Sequence, residues 1–212
     1  MKILAFDTAF AAVSAAVSVG GATVAWRRVD TPRGHAELLL PMIAAVLGEA
    51  GLAARDLDRV ATDRGPGHFT GLRAGIAAAQ GLALAGGVGL WGFTSFAVLA
   101  AGLDPPAAGE RRVIAFDSKR AEAFVRIDDE TPVACLPADF APAGDRFVVA
   151  GDRAPEFAAA LQARGRIARV AEGPALPDAR LLLRLAQAAT GTPQAPVPLY
   201  IHPPATTAPK HP

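Results

Sequence analysis

The chain has 212 residues, of which 51% are hydrophobic and 19% are charged, and its net charge is +1. This composition excludes a disordered chain, and the near-zero net charge provides no basic field for binding nucleic acid unaided. The single cysteine, Cys135, excludes an intramolecular disulfide, argues against a cysteine-based zinc site and fits a reducing, cytoplasmic setting. Alanine contributes 49 residues, so the hydrophobic content overstates the number of large core side chains.

The first half of the chain predicts a strand, a β-hairpin, and then alternating helices and strands. The opening apolar run ends at Asp7, and the hairpin follows from two alternating segments joined by Gly20-Gly21. The predicted strands are Ile3–Phe6, Val13–Val19, Ala22–Val29, Arg59–Thr62 and Leu90–Phe93. The predicted helices are His35–Ala50, Phe69–Ala85 and Ser95–Ala101.

A segment rich in proline, alanine and glycine, Leu103–Gly109, predicts a linker to a second half of similar design. The predicted strands after it are Arg112–Phe116, Ala123–Ile127, Phe147–Ala150 and Ile167–Val170, and the predicted helices are Pro155–Ala163 and Asp178–Ala189. Both halves begin with a strand ending in aspartate, at Asp7 and Asp117, which suggests two related lobes. We therefore predict an N-terminal lobe at residues 1–102, a smaller lobe at 110–190 and a proline-rich extended tail at 191–212.

The stretch Ala74–Leu103 carries no charge, yet it does not predict a membrane span. A spanning helix needs about 20 strongly apolar residues. This stretch is mostly alanine and glycine, and Gly86-Gly87 breaks it in the middle.

Two loops could bind an anion. Gly65-Pro66-Gly67 forms a tight turn just before a predicted helix, where free backbone N–H groups and the helix dipole favour negative charge. Asp7 and Thr8 stand at a strand end and could hold a magnesium-bound nucleotide. For both loops the alternative is a purely structural turn. We group Asp7, Thr8, Gly65, Pro66, Gly67 and Asp117 as a candidate degenerate nucleotide or anion site.

The sequence predicts neither a bound metal nor catalytic residues. The four histidines lack the spacing of a paired-histidine metal site, and no nucleophile stands in a recognisable motif.

Two predicted helices lack the polar face that a solvent-exposed helix should have. In Phe69–Ala85 small and apolar residues occupy both stripes, and in His35–Ala50 the only carboxylates are Glu37 and Glu49. Either these helices are buried between layers of one domain, or they form an interface with another subunit. We favour the interface and assign to it His35, Leu38, Leu39, Met42, Gly71, Arg73, Gly75, Ala78 and Leu82.

These motifs together resemble the bacterial TsaB (YeaZ) family, whose members act in making threonylcarbamoyladenosine in tRNA. The segments that carry the resemblance are Ile3–Thr8, His35–Ile43, Gly65–Gly75, Asp117–Glu122 and Pro198–Ile201. The family usually has Ser at the positions of Ala9 and His68 and Arg at that of His202, so this chain departs from the family pattern at those three positions.

The resemblance implies an α/β, two-lobed fold of the actin, sugar-kinase and Hsp70 superfamily with a shortened second lobe. It implies a non-catalytic scaffold that binds the transferase subunit TsaD for modification of tRNA next to the anticodon. The expected further partners are the ATPase TsaE, tRNA through the complex, and a second copy of the chain when it is alone. No intrinsic cofactor is expected, although ATP or ADP could lie at the interface with TsaD. The alternative is a free-standing kinase, ATPase or peptidase-like enzyme.

Overall fold

A computed structural model of the chain describes residues 1–193 and 196–202. The strands are β1 Lys2–Asp7, β2 Ala12–Val19, β3 Ala22–Asp30, β4 Arg59–Asp63, β5 Gly89–Phe93, β6 Arg111–Asp117, β7 Ala123–Ile127, β8 Val133–Cys135, β9 Arg146–Ala150 and β10 Ile167–Val170. The α-helices are α1 His35–Glu49, α2 Phe69–Gly86, α3 Ser95–Ala100, α4 Ala154–Ala163 and α5 Ala179–Ala188. The predicted elements are confirmed to within a few residues at their ends.

The two halves contain five-stranded sheets with the same order of strands. In the first sheet, β1 lies between the antiparallel β2 and the parallel β4, and the full order is β3-β2-β1-β4-β5. In the second sheet, β6 takes the place of β1, and the corresponding order is β8-β7-β6-β9-β10. This duplication confirms the predicted α/β, two-lobed fold.

The second lobe is shortened at one identifiable place. In the first lobe the 15-residue helix α1 connects β3 to β4. At the equivalent position between β8 and β9 there is only a three-residue 3₁₀ turn, Pro137–Asp139. The sequence analysis missed β8, because three residues beside prolines are too few for an alternating pattern to be recognised.

Local signals explain where the helices begin and end. The α2 helix ends at Gly87, whose φ of 63° suits glycine and whose N–H bonds back to the last turn. The Thr94 side chain caps α3 by accepting the N–H of Ala97, and the Asp178 side chain caps α5 by accepting the N–H of Arg180.

Helices cover both faces of the first sheet. Leu4 and Phe6 face a core formed with α1 and α2, whereas Ile3 and Ala5 point to the opposite face and pack against α5. We predicted α5 as part of the smaller lobe at residues 110–190. In the structure its leucine-rich face instead packs against the first sheet. The predicted lobe boundaries themselves stay a prediction.

The α3 helix lies between the lobes. Phe96 and Leu99 pack with Phe116 and Phe124 of the second sheet and with Phe10 of the first lobe. The uncharged stretch Ala74–Leu103 thus consists of the end of α2, the strand β5 and the buried helix α3. In the part of the chain that the structure describes, no helix combines the length and hydropathy needed to cross a membrane.

The predicted tail lies partly outside the described residues. Pro196–His202 contains neither helix nor strand and runs against the loop after β4: the Leu199 N–H donates to the Arg64 carbonyl oxygen at 2.7 Å. The Tyr200 ring packs on Phe69 with centroids 5.6 Å apart. This segment is therefore docked onto the first lobe.

Candidate functional site

Two buried carboxylates lie side by side where β1 and β4 end. These strands are parallel neighbours with Phe6 opposite Thr62, so Asp7 and Asp63 follow at the same edge of the sheet. Each is only 2% exposed. Asp63 was not among the predicted site residues, although β4 ends in aspartate just as β1 and β6 do.

Burial determines the protonation of this pair. The Asp7 carboxylate accepts the Ala9 N–H at 2.9 Å, but burial raises its pKa to about 7. Asp63 accepts the Gly65 N–H and the Ser95 hydroxyl through Oδ1, whereas Oδ2 has no partner among the described residues. Burial, together with the charge of Asp7, raises the pKa of Asp63 well above its usual range. Burial therefore shifts both carboxyl groups toward their protonated forms.

The glycines after β4 allow close packing against the turn that follows β1. The His68 N–H donates to the Ala9 carbonyl oxygen at 2.6 Å. A Cβ at Gly67 would lie 2.5 Å from that same oxygen, and a Cβ at Gly71 would lie 2.2 Å from the Thr8 carbonyl oxygen. The Thr8 hydroxyl in turn donates to the Gly71 carbonyl at 2.8 Å. The turn after β1 and the glycine loop after β4 therefore pack against each other. This is the arrangement expected if both loops have a purely structural role.

An aromatic side chain fills the space beside these turns. Phe10 is 2% exposed, and its ring lies 4.6 Å from that of Phe116 and 5.6 Å from that of His68. Pro66 is buried, and a Cβ at Gly65 would lie 2.8 Å from the Leu199 carbonyl oxygen. A nucleotide or anion at these loops stays a prediction, and it would have to compete with this packing.

Asp117 belongs to a separate network in the second lobe. Its side chain accepts the Lys119 N–H at 3.0 Å and pairs with the Lys119 ammonium at 3.0 Å. Although burial raises it, these Lys119 interactions leave the pKa of Asp117 below its usual value. Its backbone N–H donates to Asp152. The carboxylates at the ends of β1 and β6 therefore make their hydrogen bonds within their own lobes.

Helices α1 and α2 bury more of the predicted interface residues within the chain than the sequence suggested. His35 is buried, with Nε2 2.6 Å from the Phe10 carbonyl oxygen, and Leu39 and Met42 belong to the core. Gly71 and Gly75 face the Thr8 turn. The small-residue stripe of α2 is thus explained inside the monomer, and those five residues offer no free surface.

The remaining predicted interface residues lie nearer the surface. Leu38, Ala78 and Leu82 are half-buried and pack against the same core, while Arg73 is exposed with its guanidinium 5.0 Å from the Phe69 ring centroid. Their role in binding a partner stays a prediction.

The outer face of these two helices is nonetheless poor in charge. Leu84 is 86% exposed and Leu40 is 57% exposed. We define the outer helix face as the exposed residues Glu37, Leu40, Pro41, Ala44, Arg73, Ala77, Gln80, Gly81 and Leu84. Within it Glu37 and Arg73 carry the only charges. Leu40, Ala77 and Leu84 were not among the predicted interface residues, most of which are buried within the chain.

No three histidine, cysteine or acidic side chains converge as a metal site within residues 1–193 and 196–202. The prediction that the chain binds no metal stays a prediction.

Comparisons with known proteins identify relatives over most of the chain. Residues 29–129 match the family model of TsaD, tRNA N6-adenosine threonylcarbamoyltransferase. The Escherichia coli tRNA threonylcarbamoyladenosine biosynthesis protein TsaB is 36% identical over 124 residues, which are 58% of this chain and 53% of that protein. The match therefore spans about half the length of that relative. An uncharacterised Mycobacterium tuberculosis protein is 38% identical over 164 residues, 74% of each chain.

Solved structures resemble the whole described fold. YeaZ from Pseudomonas aeruginosa has a TM-score of 0.71 and 29% identity, covering 89% of this chain and 92% of that one. A second structure, described as an uncharacterised protein with similarity to peptidase YeaZ from Pseudomonas aeruginosa, has a TM-score of 0.80 and 28% identity, covering 95% of this chain and 99% of that one.

Proposed function

Because the chain belongs to the TsaB (YeaZ) family, we propose that it is a non-catalytic scaffold that binds a TsaD-type transferase and activates it for threonylcarbamoyladenosine synthesis in tRNA. In this proposal the outer helix face is the contact surface. TsaE and tRNA would join through the complex, and the same face would pair two copies when the transferase is absent. Any ATP or ADP would lie at the contact with the transferase.

The outer helix face is the observation that carries the proposal. The 18-residue α2 has no acidic residue and a single basic one, and its exposed side chains include the almost fully exposed Leu84. An exposed apolar surface is unfavourable in water, and small residues such as Ala77 and Gly81 let another helix approach closely. A free-standing kinase gains no comparable support, because Phe10 packs where the loops of the two lobes meet.

The test requires variants that change the surface and leave the core intact. Ala78 and Leu82 are unsuitable because they pack against the core shared with α1. Ala77→Glu and Leu84→Glu place carboxylates on exposed positions of α2, and Ala159→Glu on the exposed side of α4 is the matched control. Each variant should keep the melting temperature of the parent within about 2 °C, as exposed substitutions usually do.

The measurements are binding to the transferase subunit of the same organism and modification of tRNA by the reconstituted proteins. An unpaired carboxylate buried at an interface costs several kcal/mol, so the double variant should bind at least about 100-fold more weakly. It should also support little modification, whereas Ala159→Glu should behave as the parent does. Unchanged binding by the double variant would reject this surface, and full tRNA modification without the protein would reject the activator role.

A further inference from the structure

The two five-stranded sheets have four edges, and three of them are short or covered. The edge strands β8 and β10 have only three and four residues. The C-terminal segment runs close beside β5, since a Cβ at Gly92 would lie 2.5 Å from the Pro196 side chain. Short strands and covering segments are usual means by which proteins keep a sheet edge from pairing with another chain.

The fourth edge, β3, is both long and open. It has nine residues and pairs only with β2 among the residues that the structure describes. Val24, Trp26 and Val29 on this strand are 48%, 38% and 42% exposed. The strand contains no lysine or proline, residues that often discourage pairing at an edge. Its outer row of backbone N–H and C=O groups is therefore available to another strand.

The charges on β3 are balanced within the chain. Arg27 forms an ion pair with Glu49 of α1, and Arg28 pairs with Asp30 at 2.8 Å. The Arg180 guanidinium lies over the Trp26 ring, 3.9 Å from its centroid, and itself pairs with Asp178. An approaching strand therefore meets no field of one sign.

An apolar groove lies beside the same edge, between β3 and α1. Its volume is about 490 Å³, and its apolar wall is formed by Val29, Leu38, Pro41, Met42 and Ala45. Apolar surface of this kind is unfavourable in water and gains from being covered. A strand added to β3 would lie along the open side of this groove.

The sequence of β3 is complementary to a second copy of itself. Antiparallel pairing over the whole of Ala22–Asp30 is centred on Trp26, so the Trp26 side chains of the two copies lie next to each other. In this register Arg28 lies opposite Val24 and Arg27 lies opposite Ala25, so no arginine faces another. Pairing centred on Arg27 or Arg28 would place two like charges side by side, which destabilises a sheet.

We infer that two copies of the chain pair through β3, in antiparallel orientation about Trp26, and join their two five-stranded first sheets into one sheet. Main-chain hydrogen bonds along the edge supply the affinity, and the fit of the charges sets the register. No residue of α2 takes part, so that helix stays free for the transferase. The inference is independent of the proposed scaffold role.

Disulfide trapping tests the register. In a Cys135→Ser background, Trp26→Cys places the thiols of two copies directly opposite each other, with Cα atoms about 4.5–5.5 Å apart, which suits a disulfide. Val29→Cys is the matched control, because it is similarly exposed but its two copies lie roughly 20 Å apart along the paired strands. Mild oxidation should give a covalent dimer of Trp26→Cys and leave Val29→Cys monomeric. Since the cross-link is irreversible, it records the pairing although the tryptophan is lost.

Sedimentation velocity measures the pairing without a cross-link. The parent is the Ala77→Glu and Leu84→Glu double variant, in which the outer helix face cannot pair two copies. This parent should still be a dimer at tens of micromolar. Adding Trp26→Glu places two carboxylates side by side and should weaken dimer formation at least about tenfold, and Trp26→Lys should act likewise. An equimolar mixture of the two Trp26 variants should recover a dimer, because opposite charges then meet.

The inference is overturned if the parent is monomeric at that concentration, or if each Trp26 variant remains dimeric by itself. It is also overturned if mixing the two Trp26 variants recovers no dimer. In the trapping experiment, a cross-link that forms as readily with Val29→Cys as with Trp26→Cys would reject the register.

Discussion

Replacing Asp7 by asparagine tests how the buried carboxylates affect the stability of the fold. Asn keeps the Oδ1 acceptor for the Ala9 N–H and removes the charge. Burial raises the Asp7 pKa from 3.8 to about 7, so the folded protein binds this proton more tightly than the unfolded chain does. The contribution of Asp7 to the free energy of unfolding of the wild-type protein is therefore greatest below about pH 4. It falls as the pH rises from about 4 to about 7 and is constant above that.

The magnitude follows from the size of the pKa shift. A shift of about three pH units at 1.36 kcal/mol per unit corresponds to a deficit on the order of 4 kcal/mol above pH 7. Asp7→Asn lacks this deficit. Its advantage over wild type should therefore grow by a few kcal/mol between pH 4.5 and pH 8, or roughly 5–15 °C in melting temperature.

Urea unfolding of both proteins across this pH range measures the difference directly. The control is Asp129→Asn, which alters a fully exposed carboxylate in the second lobe. Comparing the change with pH cancels any constant cost of the asparagine itself. A stability difference between Asp7→Asn and wild type that stays the same at pH 4.5 and pH 8 would refute the argument.

Four further substitutions examine the packing of the fold. Gly75→Ala places a Cβ 2.4 Å from the Thr8 hydroxyl oxygen and should lower the free energy of unfolding by about 1–3 kcal/mol, whereas Gly81→Ala meets open space and should raise it by up to about 1 kcal/mol. A gain in both would contradict the close approach. Arg59→Ala removes hydrogen bonds to two carbonyls at the end of α5 and should cost about 1.5–3 kcal/mol in urea unfolding; a loss below about 0.5 kcal/mol would show that α5 is held by its apolar face alone. Tyr200→Ala should speed hydrogen exchange in the docked C-terminal segment, and unchanged exchange would mean that stacking does not hold it.

The periodic patterns in the sequence predicted most of the fold. Strands ending at Asp7 and Asp117 indicated the duplication. Apolar runs and alternating residues are local features, so they can be recognised in each strand separately. The same local signals could not assign α5 to the first sheet, since its leucine face would suit either one. They also missed β8, which depends on pairing with β7 for its existence.

The candidate interface shows more clearly what could not be predicted from the sequence. The sequence determined that α1 and α2 are poor in charge, and only three of their exposed side chains are charged. Only the tertiary structure decided which side of α2 is outside: Gly71 and Gly75 face the Thr8 turn, whereas Leu84 faces solvent. A helix made of small and apolar residues on every side has no polar stripe to mark its exposed face. The direction it takes is therefore fixed by contacts with residues far away in the chain.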